Sequence, residues 1–332
     1  MKAHVVSPSV SEPLSVPPVG ERRQVHLVNP AAGGGRVRAA AERAIRERGG
    51  ELLESARPGH LTELVRELFR KDPYAHAVAY GGDGTVFETV NGIMQSGASD
   101  TASFSVIPAG SGNDFSAQAN DSGVFPKGEL VRIDAVKTEA GGEVRYFANM
   151  MNIGFDCAVV RRTVALKSKP LFRGKTAYIA GVVGELAKKK TTDARIRLEG
   201  CFDPAMGTAE AVRTFEKKIL LTAAGNGPFC GGGFRALPFA SLTDGLLDVL
   251  VVNNVSRMKF VSLVGDYRSG AYMERDGVLK EKFRGVLDFV RCARMRVEGP
   301  EFICLDGEIF ATGEDRLVTA EAVPGALWFA AL

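Results

Sequence analysis

The 332-residue chain predicts a two-part α/β protein: an N-terminal domain on a parallel sheet, then an antiparallel, β-rich, sandwich-like domain. Three observations carry that prediction. From Gln24 to about Asn120 short apolar runs alternate strictly with amphipathic helical segments, a rhythm that requires a parallel sheet with helices on both faces. After about Val131 strand-like runs dominate and the alternation is lost. The length exceeds what one core comfortably serves. The expected boundaries are a flexible tail over 1–21, the α/β domain over 22–130 and the β-rich domain over 131–319, with residues from about 320 to 332 able to pack back on the first domain.

Taken in order, Val25-His26-Leu27-Val28 reads as a strand, followed by a basic helix over 36–48. Glu51–Glu54 reads as a strand, and the next helix carries Leu61, Leu64, Val65, Leu68 and Phe69 on one face. Ala77–Tyr80 is the third strand. The helix after it places Val86, Val90, Ile93 and Met94 at i, i+4, i+7 and i+8. Phe104-Ser105-Val106-Ile107 is the fourth strand. In the second half Val131–Lys137, Arg145–Ile153, Ala194–Leu198, Lys217–Ala224, Leu246–Val252 and Met295–Val297 read as strands. Helices are expected near Asp156–Leu166, Lys175–Lys190 and Ser256–Ser269.

Composition narrows the class. Hydrophobic content of 45%, charged content of 24% and a net charge of +3 describe an ordinary globular protein, with no basicity to argue for nucleic acid. The first twenty residues, rich in Pro, Ser and Val, lack the continuous apolar core of a signal peptide. No run of about twenty apolar residues is present to span a membrane. Five scattered cysteines without a C-x-x-C pair suit reduced thiols and a cytoplasmic setting, and His4, His26, His60 and His76 have no metal-ligand spacing.

The chemistry concentrates where strands end. Gly81-Gly82-Asp83-Gly84-Thr85 breaks the third strand on two glycines and passes at once into a helix. Bare backbone N–H groups and the positive end of the helix dipole then face one point, as anion binding requires. Asp83 adds a carboxylate able to hold a metal ion or orient a phosphate partner. Asn29-Pro30-Ala31-Ala32-Gly33-Gly34-Gly35-Arg36 follows the first strand, and Ile107-Pro108-Ala109-Gly110-Ser111-Gly112-Asn113-Asp114-Phe115 the fourth. Three glycine loops on one edge of a parallel sheet, with Asn29, Asp83, Ser111 and Asn113 among them, point to a nucleotide or polyphosphate pocket. Two look-alikes fail. Gly110-x-Gly112 has Phe115 where a dinucleotide fingerprint needs glycine, and Gly174-Lys175-Thr176 has Lys169 where a P-loop needs one.

The second half contributes two acidic turns: Ser241-Leu242-Thr243-Asp244-Gly245-Leu246-Leu247-Asp248, and Leu305-Asp306-Gly307-Glu308. An Asp-Gly pair alone is an ordinary turn. As an ordered set, however, the Asn29-Pro30 turn, Gly81–Thr85, Pro108–Phe115, Asn152-Ile153-Gly154-Phe155, Asp244-Gly245-x-x-Asp248 and Leu305–Glu308 resemble the diacylglycerol kinase catalytic family. That group includes bacterial lipid kinases, sphingosine kinases and ceramide kinases. The resemblance runs from about Val25 to the C-terminus and implies an active site in the cleft between the two domains.

The resemblance implies transfer of the ATP γ-phosphoryl group to a lipid hydroxyl, with Mg²⁺ as cofactor. It places ATP against Gly81, Gly82, Asp83, Gly84 and Thr85, with Asn29, Gly33, Ser111 and Asn113 around the phosphates and sugar. Ser55 and Ser111 stand where the family commonly has Thr, and both keep the hydroxyl. Glu88 and Asn91, three residues apart, are expected to face the cleft together. Asp306 is the expected general base and Glu308 its neighbour, or a ligand of the catalytic magnesium through water. Asp244, with the backbone carbonyls of Ser241 and Leu246, is expected to anchor a structural magnesium.

The basic stretch Arg161, Arg162, Lys167, Lys169, Arg173 and Lys175, followed by Lys188-Lys189-Lys190, reads either as a solvated face or as a dock for anionic lipid headgroups. Leu171 and Phe172 lie among these charges. The expected partners are therefore a lipid substrate and a membrane surface touched peripherally from the cytoplasm, with homodimerisation open. NAD kinase shares Gly-Gly-Asp-Gly-Thr and is the rival reading. A nucleotide-binding regulator without turnover is the other, against which Asp83, Asp306 and Glu308 argue. The Gly81-Gly82 pair, in place of Ser-Gly, favours diacylglycerol-type or broad-range bacterial members.

Overall fold

The computed structural model describes residues 16–120, 123–167, 181, 184–185, 188, 191–204, 207–274 and 277–332. The first half runs β1 (Gln24–Val28), α1 (Arg36–Arg48), β2 (Glu51–Glu54), α2 (His60–Lys71), β3 (His76–Gly81), α3 (Asp83–Ser96), β4 (Ser103–Pro108) and α4 (Asp114–Ala119). Strands β2, β1, β3 and β4 lie side by side in that order, all parallel. After β1 the chain crosses to one side and after β3 to the other. A crevice therefore opens beyond the carboxyl ends of β1 and β3, the place where parallel sheets bind ligands.

Helix α2 buries Leu61, Val65, Leu68 and Phe69, and α3 buries Val86, Val90 and Ile93 against Val25, Leu27, Ala77, Ala79, Phe104 and Val106 of the strands. On the opposite face Val37 and Ala41 of α1 cover Val28, Val78 and Tyr80. Helix periodicity and strand burial thus agree with the sequence reading.

The second half adds β5 (Leu130–Ala140), β6 (Glu143–Phe147), β7 (Met150–Gly154), α5 (Phe155–Lys167), β8 (Thr192–Asp203), β9 (Thr208–Gly225), β10 (Leu247–Asn253), α6 (Arg257–Ser269), β11 (Leu287–Cys292), β12 (Arg294–Glu298), β13 (Phe302–Leu305), β14 (Glu308–Ala311) and β15 (Leu317–Ala330). The pairings among β5–β14 are antiparallel. One apolar layer is enclosed between the strands, and a second lies under α5 and α6. The single strand expected over Arg145–Ile153 is two, β6 and β7. The break falls where the N–H groups of Ala148, Asn149 and Met150 leave the ladder for the Asp306 carboxylate. Most of the helix expected over 175–190 lies outside the described residues.

Strand β15 joins the halves. Leu317–Glu321 pair with β12, Trp328 and Phe329 run parallel to β4, and β5 covers the other edge. Phe329 inserts between Phe104 and Phe115, with ring centroids at 5.2 and 5.5 Å. His76 binds Ser103 and Ser105 through its two ring nitrogens, and the Ser105 hydroxyl donates to Ala330. Burial lowers the His76 pKa to about 3, so this buried bridge between β3, β4 and β15 is neutral.

Candidate active site

Glycine brings the three loops together. At Gly82 an added Cβ would sit 2.8 Å from the Gly110 Cα, so the second and third loops cross backbone on backbone and neither position admits a side chain. Asn113, at φ 59°, fixes the crossing by accepting from the Gly110 N–H and donating to its carbonyl. The first loop closes the row: Gly33 lies against Ala109, and the Asn29 carboxamide accepts from Ala31 N–H at 3.0 Å. Ser55 is buried at the end of β2, its N–H bound to the Val28 carbonyl. Ser111 is exposed on the third loop.

Four carboxylates converge on this row. Asp83, in the first turn of α3, accepts from Phe115 N–H at 3.1 Å. Asp114 accepts from the N–H groups of Gly232 and Gly233 at 3.0–3.1 Å, tying the third loop to the β-rich domain. Both carboxylates flank Gly112, where a Cβ would be 2.7 Å from Asp83 Oδ2 and 3.3 Å from Asp114 Oδ2. Burial, and secondarily the Asp83 charge, raise the Asp114 pKa to about 6. Across the cleft the Glu308 Oε1 faces Gly84, at 2.8 Å from where its Cβ would be.

Asp306 sits beside them at φ 47°, in the left-handed region that a short polar residue tolerates. It is 5% exposed. Its carboxylate accepts from Ala148, Asn149 and Met150 N–H at 2.8–3.2 Å. Burial lifts its pKa to about 7 against the pull of those bonds, with the Asp83 charge adding to the rise. A carboxyl poised near neutrality in a cleft is suited to proton transfer.

Two expectations change. Asn91 does not face the cleft: its buried carboxamide donates to the Phe87 and Tyr146 carbonyls and accepts from Tyr146 N–H, fixing β6 to α3. Glu88, near enough for its charge to raise the Glu308 pKa, accepts from Leu61 and Thr62 N–H and caps α2. Its carboxylate is thus committed to a helix terminus.

At the other acidic turn Asp244 accepts from Leu246 N–H at 3.1 Å, and the Ser241 hydroxyl pairs with Thr243. Beside them lies Asp134, which the sequence reading missed. It is buried and accepts from Gly245 N–H at 2.7 Å and Gly325 N–H at 2.6 Å. A carboxylate between Ile133 and Ala135 in a strand was the available signal. Asp248 is buried against Arg291 at 3.0 Å, and burial raises its pKa to about 7. In the basic stretch Arg161 lies over the Phe302 ring and Arg162 pairs with Glu185. Lys169, Leu171, Phe172, Arg173, Lys175, Lys189 and Lys190 lie outside the described residues.

This is an α/β protein whose parallel-sheet half ends in a row of glycine loops faced by carboxylates from its β-rich half. Residues 23–153 match the diacylglycerol kinase catalytic domain, and residues 149–331 the YegS C-terminal NAD kinase beta sandwich-like domain. The chain is 30% identical over 226 residues to a YegS-like lipid kinase of Pseudomonas aeruginosa, covering 67% of this chain and 68% of that one. With that likeness, and the YegS model spanning more than half of it, the chain belongs to the diacylglycerol kinase and YegS-like family of lipid kinases. It is 27% identical over 304 residues to a diacylglycerol kinase of Mycobacterium tuberculosis, covering 86% of this chain and 91% of that one. To YtlR of Bacillus subtilis it is 25% identical over 313 residues, 89% of this chain and 96% of that one. The fold matches the crystal structure of a diacylglycerol kinase from Bacillus anthracis with a TM-score of 0.62 at 19% identity, over 94% of this chain and 97% of that one.

Proposed function

We propose that the protein transfers the γ-phosphoryl group of ATP to a lipid hydroxyl, with Asp306 as general base. The observation that carries this reading is the placement of Asp306 and Glu308, from the β-rich half, against the glycine turn and first helical turn that carry Asp83. Phosphoryl transfer needs a nucleophile and a phosphate held in line, with charge neutralised around them. ATP would lie along Gly81–Thr85, where the α3 N-terminus faces its phosphates, with Asn29, Gly33, Ser55, Ser111 and Asn113 around it. Asp306 accepts the proton of the attacking lipid hydroxyl. Glu308, which faces Gly84, would stand behind Asp306 or hold the catalytic magnesium through a water.

Magnesium, when bound with ATP, neutralises phosphate charge. The donor set fits that ion: Asp83 and Asp114 present oxygens on either side of Gly112, and among the described residues no third metal-ligating side chain joins them. One or two carboxylates plus phosphate oxygens is the usual magnesium arrangement. We assign a structural magnesium to the Asp244 turn on the same chemistry, with the Ser241 and Leu246 carbonyls as further oxygen ligands. Membrane contact would be peripheral, at the cytoplasmic face.

The test is transfer of labelled γ-phosphate from Mg-ATP to a panel of lipids in mixed micelles. NAD is run in parallel, and Asp306→Asn alongside. Label in one lipid class, lost in the variant, is the expected result. Label in NAD alone would make the protein an NAD kinase, and ATP binding without any acceptor would make it a regulator.

A further inference from the structure

Helix α6 has apolar residues on both sides. Phe260, Leu263, Val264 and Tyr267 face inward, toward Leu221, Val252 and Leu287. Met258 and Val261 face outward, 85% and 54% exposed, and their spacing puts them on one side of the helix. Basic residues lie beside them at the N-terminal end of the helix. Arg257 and Lys259 are exposed on either side of Met258, and the Asn254 N–H to Lys218 carbonyl bond of 3.3 Å brings the Lys218 main chain to the same end, its ammonium 3.9 Å from Asp193. The first acidic residue of α6 is Asp266, which Lys282 neutralises at 2.6 Å. Among the described residues Lys259 has no ion-pair partner.

We propose that this face of α6 docks on an anionic lipid bilayer, with Met258 and Val261 entering the headgroup–acyl boundary and the basic residues beside them meeting the lipid charges. Apolar residues flanked by Lys and Arg are the pattern of interfacial helices. A bilayer fits better than a second copy of the chain. Two apolar side chains fall far short of the roughly 800 Å² per partner that a stable interface buries. A two-fold contact would also set Arg257 and Lys259 against their own copies. Docking there brings the β-rich half to the bilayer surface, where a lipid acceptor resides. The proposal rests on the lipid-kinase reading only for that last consequence, because bilayer binding is measured without turnover.

The experiment is co-sedimentation with phosphatidylcholine vesicles, with and without phosphatidylglycerol. Wild type is compared with Met258→Glu/Val261→Glu and with Lys259→Glu, and each protein is also assayed on a short-chain acceptor below its critical micelle concentration and sized by ultracentrifugation. The expected result is wild-type binding to the anionic vesicles only, and a loss of about tenfold or more in the double variant. Lys259→Glu should lose several-fold, with short-chain turnover and oligomeric state unchanged. Absent wild-type binding, unchanged binding by the variants, an equal loss on the short-chain acceptor, or a dimer that the double variant dissociates would each overturn it. Binding as expected with no lipid phosphorylated would instead leave α6 as a membrane surface and remove the kinase reading.

Discussion

At Asp306 two opposing demands meet. Three N–H groups hold the carboxylate in place and favour its charge, while burial opposes the charge more strongly and leaves a pKa of about 7. As a base it must be ionised, so kcat/KM is expected to rise with pH and level off above about 7; a flat profile between pH 5.5 and 8.5 would remove it from that role. Asp83 and Asp114 titrate in the same field, so the apparent value belongs to the cluster. The effect on stability has the opposite sign. A carboxyl whose folded pKa exceeds its unfolded value binds its proton more tightly when folded, and that stabilisation is lost as pH rises from about 4 to about 7. Asp306→Asn suits the positive φ and carries no charge to desolvate, but its amide meets one N–H donor to donor. We expect kcat to fall by roughly 10²–10⁴-fold. The variant's Tm should drop less than wild type's between pH 5 and pH 8, as thermal melts would read directly.

Elements, more than single residues, decide whether the row of glycine loops forms. Replacing Gly110 by Ala would drive a methyl group into the Gly82 backbone, which cannot yield as a flexible side chain can. ATP affinity is expected to fall by at least about tenfold, the scale of losing one or more charge-assisted hydrogen bonds. Isothermal titration with a non-hydrolysable analogue would read it. Glu88→Ala should do the reverse, costing about 1 kcal/mol through the lost α2 cap while leaving ATP affinity within a factor of two. These two variants also mark what the sequence could convey. The glycine loops were legible because consecutive glycines at strand ends have few other uses, and the βα alternation fixed which edge they share. Glu88 and Asn91 looked like cleft residues because helical spacing is local information. Their partners are Leu61 and Thr62 at the α2 start, and Tyr146 in a strand more than fifty residues away. Asp114 stood in full view within the third loop, yet its tie to Gly232 and Gly233 spans more than a hundred residues and no periodicity encodes it. Asp134 was hidden because one acid in a strand looks like an edge residue until the turn it holds is known.

For the whole molecule, β15 determines whether the two halves behave as one. It lies between β12 and β5 at its start and against β4 at its end, so the last strand of the chain completes the sheet begun by the first. The cleft depends on that closure, because Asp306 and Glu308 flank the hairpin of β13 and β14 while Asp83 belongs to the first half. The Asp114 tie to Gly232 and Gly233, the Asn91 bonds that fix β6 to α3, and the β15 pairing with β4 help to keep these carboxylates in register. Phe329 is fully buried between Phe104 and Phe115, so Phe329→Ala removes a core ring at the seam and is expected to cost about 3–5 kcal/mol. If β15 couples the halves, that loss is shared: calorimetry should show one transition shifted to lower temperature, and turnover at 25 °C should change little. A second, earlier transition confined to the α/β half would mean instead that the halves fold independently and that β15 merely rests against β4.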